Sequence, residues 1–265
     1  MKSLVRRSSI TLFFLLFVSS ANVLAQKADN EYQVGAILWT QSSAEKAALS
    51  YQAFSLARLR LDQDFRANRS RRVRRAVIVD VDETVLDNSA YQAKLAKERR
   101  PFEAKTWTDW CNRAEAKALP GAVEFLRYAN SRGVRVFYIT NRRLTEKDGT
   151  ARNLQKLGFP DVSDETLLVR TDGSTKEPRR QSVAAKYRIV LLLGDNLNDF
   201  AGVFEQSKTI DSRIAAAEQN KNEFGARFIV LPNPMYGAWE DAIYGEARLT
   251  EEQKADRRKN ALKDY

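Results

Sequence analysis

The sequence predicts an α/β fold: a doubly wound parallel sheet with helices on both faces, carrying a small, mainly helical cap lobe. Three observations point there. Short apolar runs rich in β-branched residues recur at residues 76–80, 134–139, 166–170, 189–193 and 228–231. Helical patterns separate most of them, and strand–helix–strand alternation produces a parallel sheet covered on both faces. Acidic residues follow the first and fourth runs, where such sheets collect their chemistry, beyond the carboxyl ends of the strands.

Taken in order, residues 1–25 stand apart from the fold. Lys2, Arg6 and Arg7 precede the apolar run Ile10–Val18, and Val23-Leu24-Ala25 resembles a signal-peptidase site before Gln26. This is the secretory layout. The apolar run is short for crossing about 30 Å of hydrocarbon, so a cleaved signal peptide is expected rather than an anchor. No cysteine lies near the cleavage point to carry a lipid. Residues 26–265 are then expected to form one domain, periplasmic or extracellular, with no stable membrane anchor.

Residues 30–61 read as helical, with apolar positions three and four apart and a helix start at Ser42-Ser43-Ala44-Glu45. The basic cluster Arg66–Arg75 reads mainly as a solvated loop. Ala76-Val77-Ile78-Val79-Asp80 reads as a strand buried on both faces. Residues 89–118 are polar, aromatic and partly helical, broken at Pro101. A helix follows over 120–130, with Pro120 near its first turn. Another covers 145–157, with Gly158 as its C-terminal cap. The cap lobe is expected mainly from residues 89–118 and the N-terminal helices of 30–61.

Composition removes whole classes of chemistry. The 265-residue chain has no histidine and one cysteine, Cys111. Imidazole-based nucleophilic catalysis and zinc or copper sites are therefore out, as are intrachain disulfides. Any metal must be held by oxygen, which favours Mg²⁺, Ca²⁺ or Mn²⁺. Cys111 reads as a small buried apolar residue. The net charge of +10 suits anionic substrates. The Arg66–Arg75 cluster contains no aromatic residue for base stacking, so nucleic acid is not expected as a partner.

Four segments carry the chemistry: Asp80-Val81-Asp82-Glu83-Thr84 with Asp87-Asn88, Ile139-Thr140-Asn141-Arg142, Ser174 to Arg180, and Gly194-Asp195-Asn196-Leu197-Asn198-Asp199. Asp80 and Asp82 are two apart, so in extended geometry they face one side. Like charges so placed repel unless a cation or proton intervenes. Asp195 can add a further oxygen, Thr140 a hydroxyl and Lys176 a compact positive charge. Together they suit a dianion with a nucleophile beside it.

These segments, in this order, resemble the four motifs of haloacid-dehalogenase-type (HAD-like) phosphatases. More narrowly the chain is similar to the class C, non-specific acid phosphatases, through Ile37-Leu38-Trp39-x-Gln41-x-Ser43-Ala44-Glu45, Asp82 to Asn88, Tyr138 to Arg142, and Lys176-Glu177-x-Arg179-Arg180. The resemblance covers residues 34–245. It implies Asp80 as nucleophile, forming an aspartyl-phosphate, and Asp82 as the acid that protonates the leaving alkoxide and later activates water. It implies Mg²⁺, with Mn²⁺ as an alternative, held by Asp80, the Asp82 carbonyl and Asp195, with Asp199 in or near that set. Thr140 and Lys176 would stabilise the phosphoryl oxygens, with Asn141 binding substrate beside them. Many bacterial relatives are lipoproteins, and the missing cysteine puts membrane attachment in doubt, not catalysis.

Aromatic residues cluster in the cap segment and again at residues 236–244. Trp107 and Tyr236 are the expected stacking pair for a nucleobase, which would make nucleoside monophosphates substrates. Packing the cap against the core is the equal alternative for these rings. The expected partners are small phosphomonoesters, with a homodimer left open. A phosphotransferase using the same intermediate, or a non-catalytic anion-binding or storage relative, remains an alternative.

Overall fold

The computed structural model describes residues 30–265 except 71, 172, 246 and 247. The expected signal segment lies outside these. Among the described residues no helix is long and apolar enough to cross a membrane.

The N-terminal part is a short turn followed by helices α1 (Val34–Ser42) and α2 (Ala44–Ala67). Ser43 separates them: its extended backbone ends α1, and its hydroxyl accepts from the Lys46 N–H at 3.1 Å to cap α2. Then come β1 (Arg75–Val79), β2 (Leu86–Asp87), α3 (Ser89–Glu98), α4 (Ala104–Arg113), β3 (Lys117–Ala118), α5 (Ala122–Ser131) and β4 (Arg135–Arg143). The remainder is α6 (Leu144–Leu157), β5 (Leu167–Arg170), α7 (Glu177–Ala184), β6 (Arg188–Gly194), α8 (Gly202–Gln206), α9 (Ile210–Gln219), β7 (Phe228–Val230), α10 (Ala238–Tyr244) and α11 (Glu251–Asn260).

Five strands form one sheet in the order β5-β4-β1-β6-β7, and every neighbouring pair is parallel. The chain winds outward from β1 through β4 to β5, then returns to the other side of β1 as β6. The winding direction therefore reverses between β1 and β6, the place where doubly wound sheets open a crevice. Strand alternation builds a core on each face. Val77, Val79, Tyr138, Leu191 and Leu193 meet α2, α5 and α6 through Phe54, Leu61, Leu126 and Leu154. Ala76, Ile78, Phe137 and Leu192 meet α7, α8 and α9 through Val183, Phe204 and Ala216.

The cap region holds α3 and α4, separated around Pro101 and bracketed at its base by the antiparallel pair β2–β3, which joins Leu86 to Ala118. That two-stranded sheet is too short to leave a periodic signal. Within residues 30–61 the two helices divide: α1 packs beside α3, while α2 lies on the sheet with Ala53, Phe54, Ala57 and Leu61 in the main core.

Three local readings need correction. Arg75 is not part of a solvated loop; it opens β1, is buried, and donates to Asp64 at 2.7 Å, a carboxylate shared with Arg188. Pro120 stands outside α5, one residue before the N-cap Gly121. β4 continues past Ile139 to Arg143, so Thr140, Asn141 and Arg142 belong to the strand rather than following it. Gly158 does cap α6 in the left-handed conformation, and Cys111 is buried.

Gly149 sets the distance between α6 and cap helix α4. A Cβ there would lie 2.5 Å from the Cys111 carbonyl oxygen and 2.6 Å from Asn112 Cα, both backbone atoms that yield only if the helices separate. Gly149→Ala should therefore cost about 1–3 kcal/mol despite alanine's better helix propensity, read as a lower urea midpoint at unchanged m-value.

Candidate active site

The catalytic candidates converge where β1 and β6 end. Asp80 follows β1 directly, and its N–H still donates to Leu193 of β6 at 2.9 Å. Asp195 follows Gly194, the last residue of β6. Asp199 returns to the same point through a single helical turn, its Oδ2 accepting from the Asn196 N–H at 3.0 Å. This closeness requires Gly194: a Cβ there would stand 2.4 Å from Asp199 Oδ2.

Asp80, Asp195 and Asp199 offer carboxylate oxygens that all lie within 4.8 Å of one another. Lys176, at the start of α7, is buried and donates to Asp80 Oδ1 and, at 2.7 Å, to Asp199 Oδ1. Its neighbours Arg179 and Arg180 do other work. Arg179 donates to the Thr140 carbonyl and to Asn141 Oδ1 at 2.7 Å, while Arg180 is buried against Glu177 and Glu205. Thr84 donates to Asp195 Oδ1 at 2.9 Å, and Asn233 donates to Asp195 Oδ2 at 2.9 Å.

Burial dominates the electrostatics. It raises Asp80 well above the ordinary carboxylate range against the pull of Lys176, with Asp199, Asp195 and Asp82 adding to the rise. Burial likewise pushes Asp195 up to about 7, with Asp199 adding and Asn233 and Thr84 opposing. For Lys176, burial works to lower the pKa, but Asp199 and Asp80 outweigh it and the ammonium is held charged. One ammonium touching two of three crowded carboxylates leaves a site that fits a hard divalent cation with oxygen ligands. Asp80, Asp195 and Asp199 would hold it. The Asp82 carboxylate lies outside this cluster, so any metal role for Asp82 falls to its backbone carbonyl.

Asp82 is partly exposed and turned the other way, toward Arg142 at 2.8 Å. Thr140 is fully buried, with its hydroxyl 3.4 Å from Asp82 Oδ2. Asn141 is exposed, its amide oxygen engaged by Arg179. All the candidate residues except the buried Thr140 line one cavity of about 470 Å³: Asp80, Asp82, Asn141, Lys176, Asp195, Asp199, Trp107 and Tyr236. Trp107 reaches it from α4, packed edge-on against Tyr91 at 5.1 Å between ring centres. Tyr236 reaches it from the segment after β7 and donates its hydroxyl to Glu83.

Sequence reasoning assigned no role to several residues that build this site. Glu83 adopts a left-handed backbone (φ 54°), which costs a non-glycine residue about 1–3 kcal/mol, and buries its carboxylate against the Asn88 N–H and Tyr236. Lys46, in the first turn of α2, is buried and donates to the Pro232 carbonyl at 3.2 Å. Arg142 and Arg179 were only letters within motifs. Their partners in the site, Asp82 and Asn88 for Arg142 and Thr140 and Asn141 for Arg179, are dozens of residues away in the chain, so spacing carried no signal for them.

A family model described as HAD superfamily, subfamily IIIB (acid phosphatase) matches residues 15–239. The chain belongs to this family. Two crystal structures of the class C acid phosphatase from Bacillus anthracis are similar to this acid phosphatase family member at 39% identity. One has tungstate bound; they superpose with TM-scores of 0.85 and 0.84 and cover 89% of this chain and 98% of theirs. A stem 31 kDa glycoprotein from Glycine max is 28% identical over 165 residues, covering 60% of this chain and 58% of its own length. Acid phosphatase 1 from Solanum lycopersicum is also 28% identical over 165 residues, with 60% and 57% covered. The chain thus spans under two thirds of the length of these plant relatives.

The raised Asp195 gives a stability prediction with a definite sign. In the metal-free protein the fold holds this proton more tightly than the unfolded chain, whose Asp titrates near 3.8. The stability contributed by the protonated form is complete below that value and is lost as pH rises through about 7. The unfolding temperature of chelator-treated protein should therefore fall across that window, and a divalent cation in excess should remove the fall. Asp195→Asn should flatten the metal-free slope and weaken the cation effect, as differential scanning fluorimetry would read.

Proposed function

We infer that this chain is a phosphomonoesterase that transfers a phosphoryl group to Asp80 and then to water. The observation that carries this reading is the Asp80 carboxylate, held by Lys176 at the switch point of the sheet and facing a cavity beside Asp82. A purely anion-binding protein gains nothing from a carboxylate placed to meet phosphate, since like charges repel. Tungstate in the Bacillus anthracis structure is a tetrahedral oxyanion like phosphate, which supports the same reading.

The chemistry follows from the residues. Asp80, Asp195 and Asp199 would hold a divalent cation, Mg²⁺ by preference and Mn²⁺ as alternative, and its positive charge would keep Asp80 ionised and offset the phosphate's. Lys176 and Thr140 flank the phosphoryl oxygens, where preorganised charge and hydrogen-bond donors lower the barrier most. Asp80 attacks phosphorus, and Asp82 protonates the departing oxygen. Asp82 then takes a proton from the water that opens the aspartyl-phosphate, so one hard step becomes two easier ones. An alcohol replacing that water would make the same site a phosphotransferase.

Trp107 and Tyr236 border the cavity from different parts of the chain, which supports a planar leaving group such as the nucleoside of a nucleoside monophosphate. Export to the periplasm or beyond, directed by residues 1–25, belongs to the same proposal.

Asp80→Asn should lower turnover of a chromogenic phosphomonoester about 10⁴-fold or more with an unchanged circular dichroism spectrum. Acid-quenched wild-type protein given ³²P-labelled substrate should carry acid-stable, hydroxylamine-labile label; retained turnover in the variant would reject the nucleophile. Trp107→Ala should raise KM about 10-fold for nucleoside monophosphates, in keeping with base stacking, and leave KM for glycerol phosphate nearly unchanged. Equal effects on both would remove the stacking claim.

A further inference from the structure

The Asp82 carboxylate is not free to turn. Its Oδ1 accepts three hydrogen bonds: from Arg142 Nε at 2.9 Å, Arg142 Nη2 at 2.8 Å and Asn88 Nδ2 at 2.9 Å. Among the described residues its Oδ2 has only the Thr140 hydroxyl, at 3.4 Å. Asp82 lines the cavity, so Oδ2 is the oxygen left to serve it.

Arg142 is itself immobilised. Its side chain is 1% exposed. Nη1 donates to Thr150 Oγ1 at 3.0 Å, and Nη2 donates to Asn88 Oδ1 at 3.2 Å. Trp110 also donates to that Asn88 oxygen, at 2.8 Å. The guanidinium carbon lies 5.4 Å from the centre of the Trp107 ring. One guanidinium is thus fixed from α6, from the turn before α3 and from the end of β1, with four of its five N–H groups engaged.

We propose that Arg142, seconded by Asn88, is the positioning residue for proton transfer: it saturates Oδ1 of Asp82 so that the transferable proton rides on Oδ2. This role presupposes the phosphatase reading above. Guanidinium and amide N–H groups donate only, so a proton on Oδ1 would confront three donors. On Oδ2 it meets a hydroxyl, which can accept, and the cavity.

The steps balance on that one oxygen. The bond from Asp80 to phosphorus forms as the bond from phosphorus to the leaving oxygen breaks. The electron pair goes to that oxygen, which takes the proton from Oδ2. The resulting Asp82 carboxylate is met at once by the charge of Arg142 through hydrogen bonds already in place. Water then attacks phosphorus, its proton passes to Oδ2, and the bond from phosphorus to Asp80 breaks to release phosphate. Asp82 ends as it began.

The test compares p-nitrophenyl phosphate, whose leaving group needs little protonation, with an alkyl phosphate that needs much. Arg142→Met should lower kcat for the alkyl phosphate about 100-fold, in the range of lost general acid catalysis, with a several-fold smaller loss for the nitrophenyl ester and little change in KM. Arg142→Lys, which keeps the charge but not the fork, should recover part of the alkyl-phosphate activity. The double variant Asp82→Asn, Arg142→Met should be no slower than Asp82→Asn alone. Equal losses on both substrates, or a loss confined to KM, would overturn the role and leave Arg142 as a phosphate ligand or scaffold. Asp82→Asn alone separates the two readings. If it shows no leaving-group selectivity, the general acid assignment fails and the positioning role falls with it. If it is selective and Arg142→Met is not, only the positioning role falls. Should Arg142→Met fail to fold, Asn88→Ala is read in the same assay, where smaller but still selective loss is expected and equal loss overturns the role.

Discussion

Three crowded carboxylates at the ends of two adjacent strands, two of them buried and the third half-buried, are mutually repulsive, and the rest of the site exists to make that arrangement tolerable. Asp80, Asp195 and Asp199 bring oxygens within 4.8 Å of one another, in a place where burial penalises the charged forms of Asp80 and Asp195. Lys176 neutralises part of this by touching two of them. Thr84 and Asn233 donate to the third. The residual negative charge is what a divalent cation would meet.

From this centre, buried polar links run outward and tie the cap to the core. Asp82 engages Arg142, which engages Asn88, and Asn88 receives the indole N–H of Trp110 in α4. Glu83, one residue beyond Asp82, receives the hydroxyl of Tyr236 from the segment after β7. Among the described residues no buried side-chain nitrogen or oxygen is left without a hydrogen-bond partner. A network satisfied at every member is stiff, because each displaced group would forfeit a bond in a low-dielectric setting. The rings that border the cavity are therefore carried on the same framework that holds the carboxylates lining it.

The strands were legible because burial on both faces demands short apolar runs, and their length alone told them from helices. The acids were legible because they cluster within a few residues after the first and fourth of these runs. Arg75 was misread because its partner Asp64 stands a helix-end away, across a polar stretch that looked solvated. β4 was read short because Asn141, Arg142 and Arg143 are polar, yet the strand continues through them, with Arg143 in register with Arg170 of β5.

The sequence by itself determined the sheet, the order of its motifs and the set of hard oxygen donors, since these follow from periodicity and from the absence of histidine. The tertiary structure alone decided which oxygens converge and which way each points. Asp80 and Asp82 stand two positions apart in one motif, yet one turns to Lys176 and the other to Arg142, because those cations arrive from α7 and from β4, elements far apart in the chain and adjacent only after the sheet has closed.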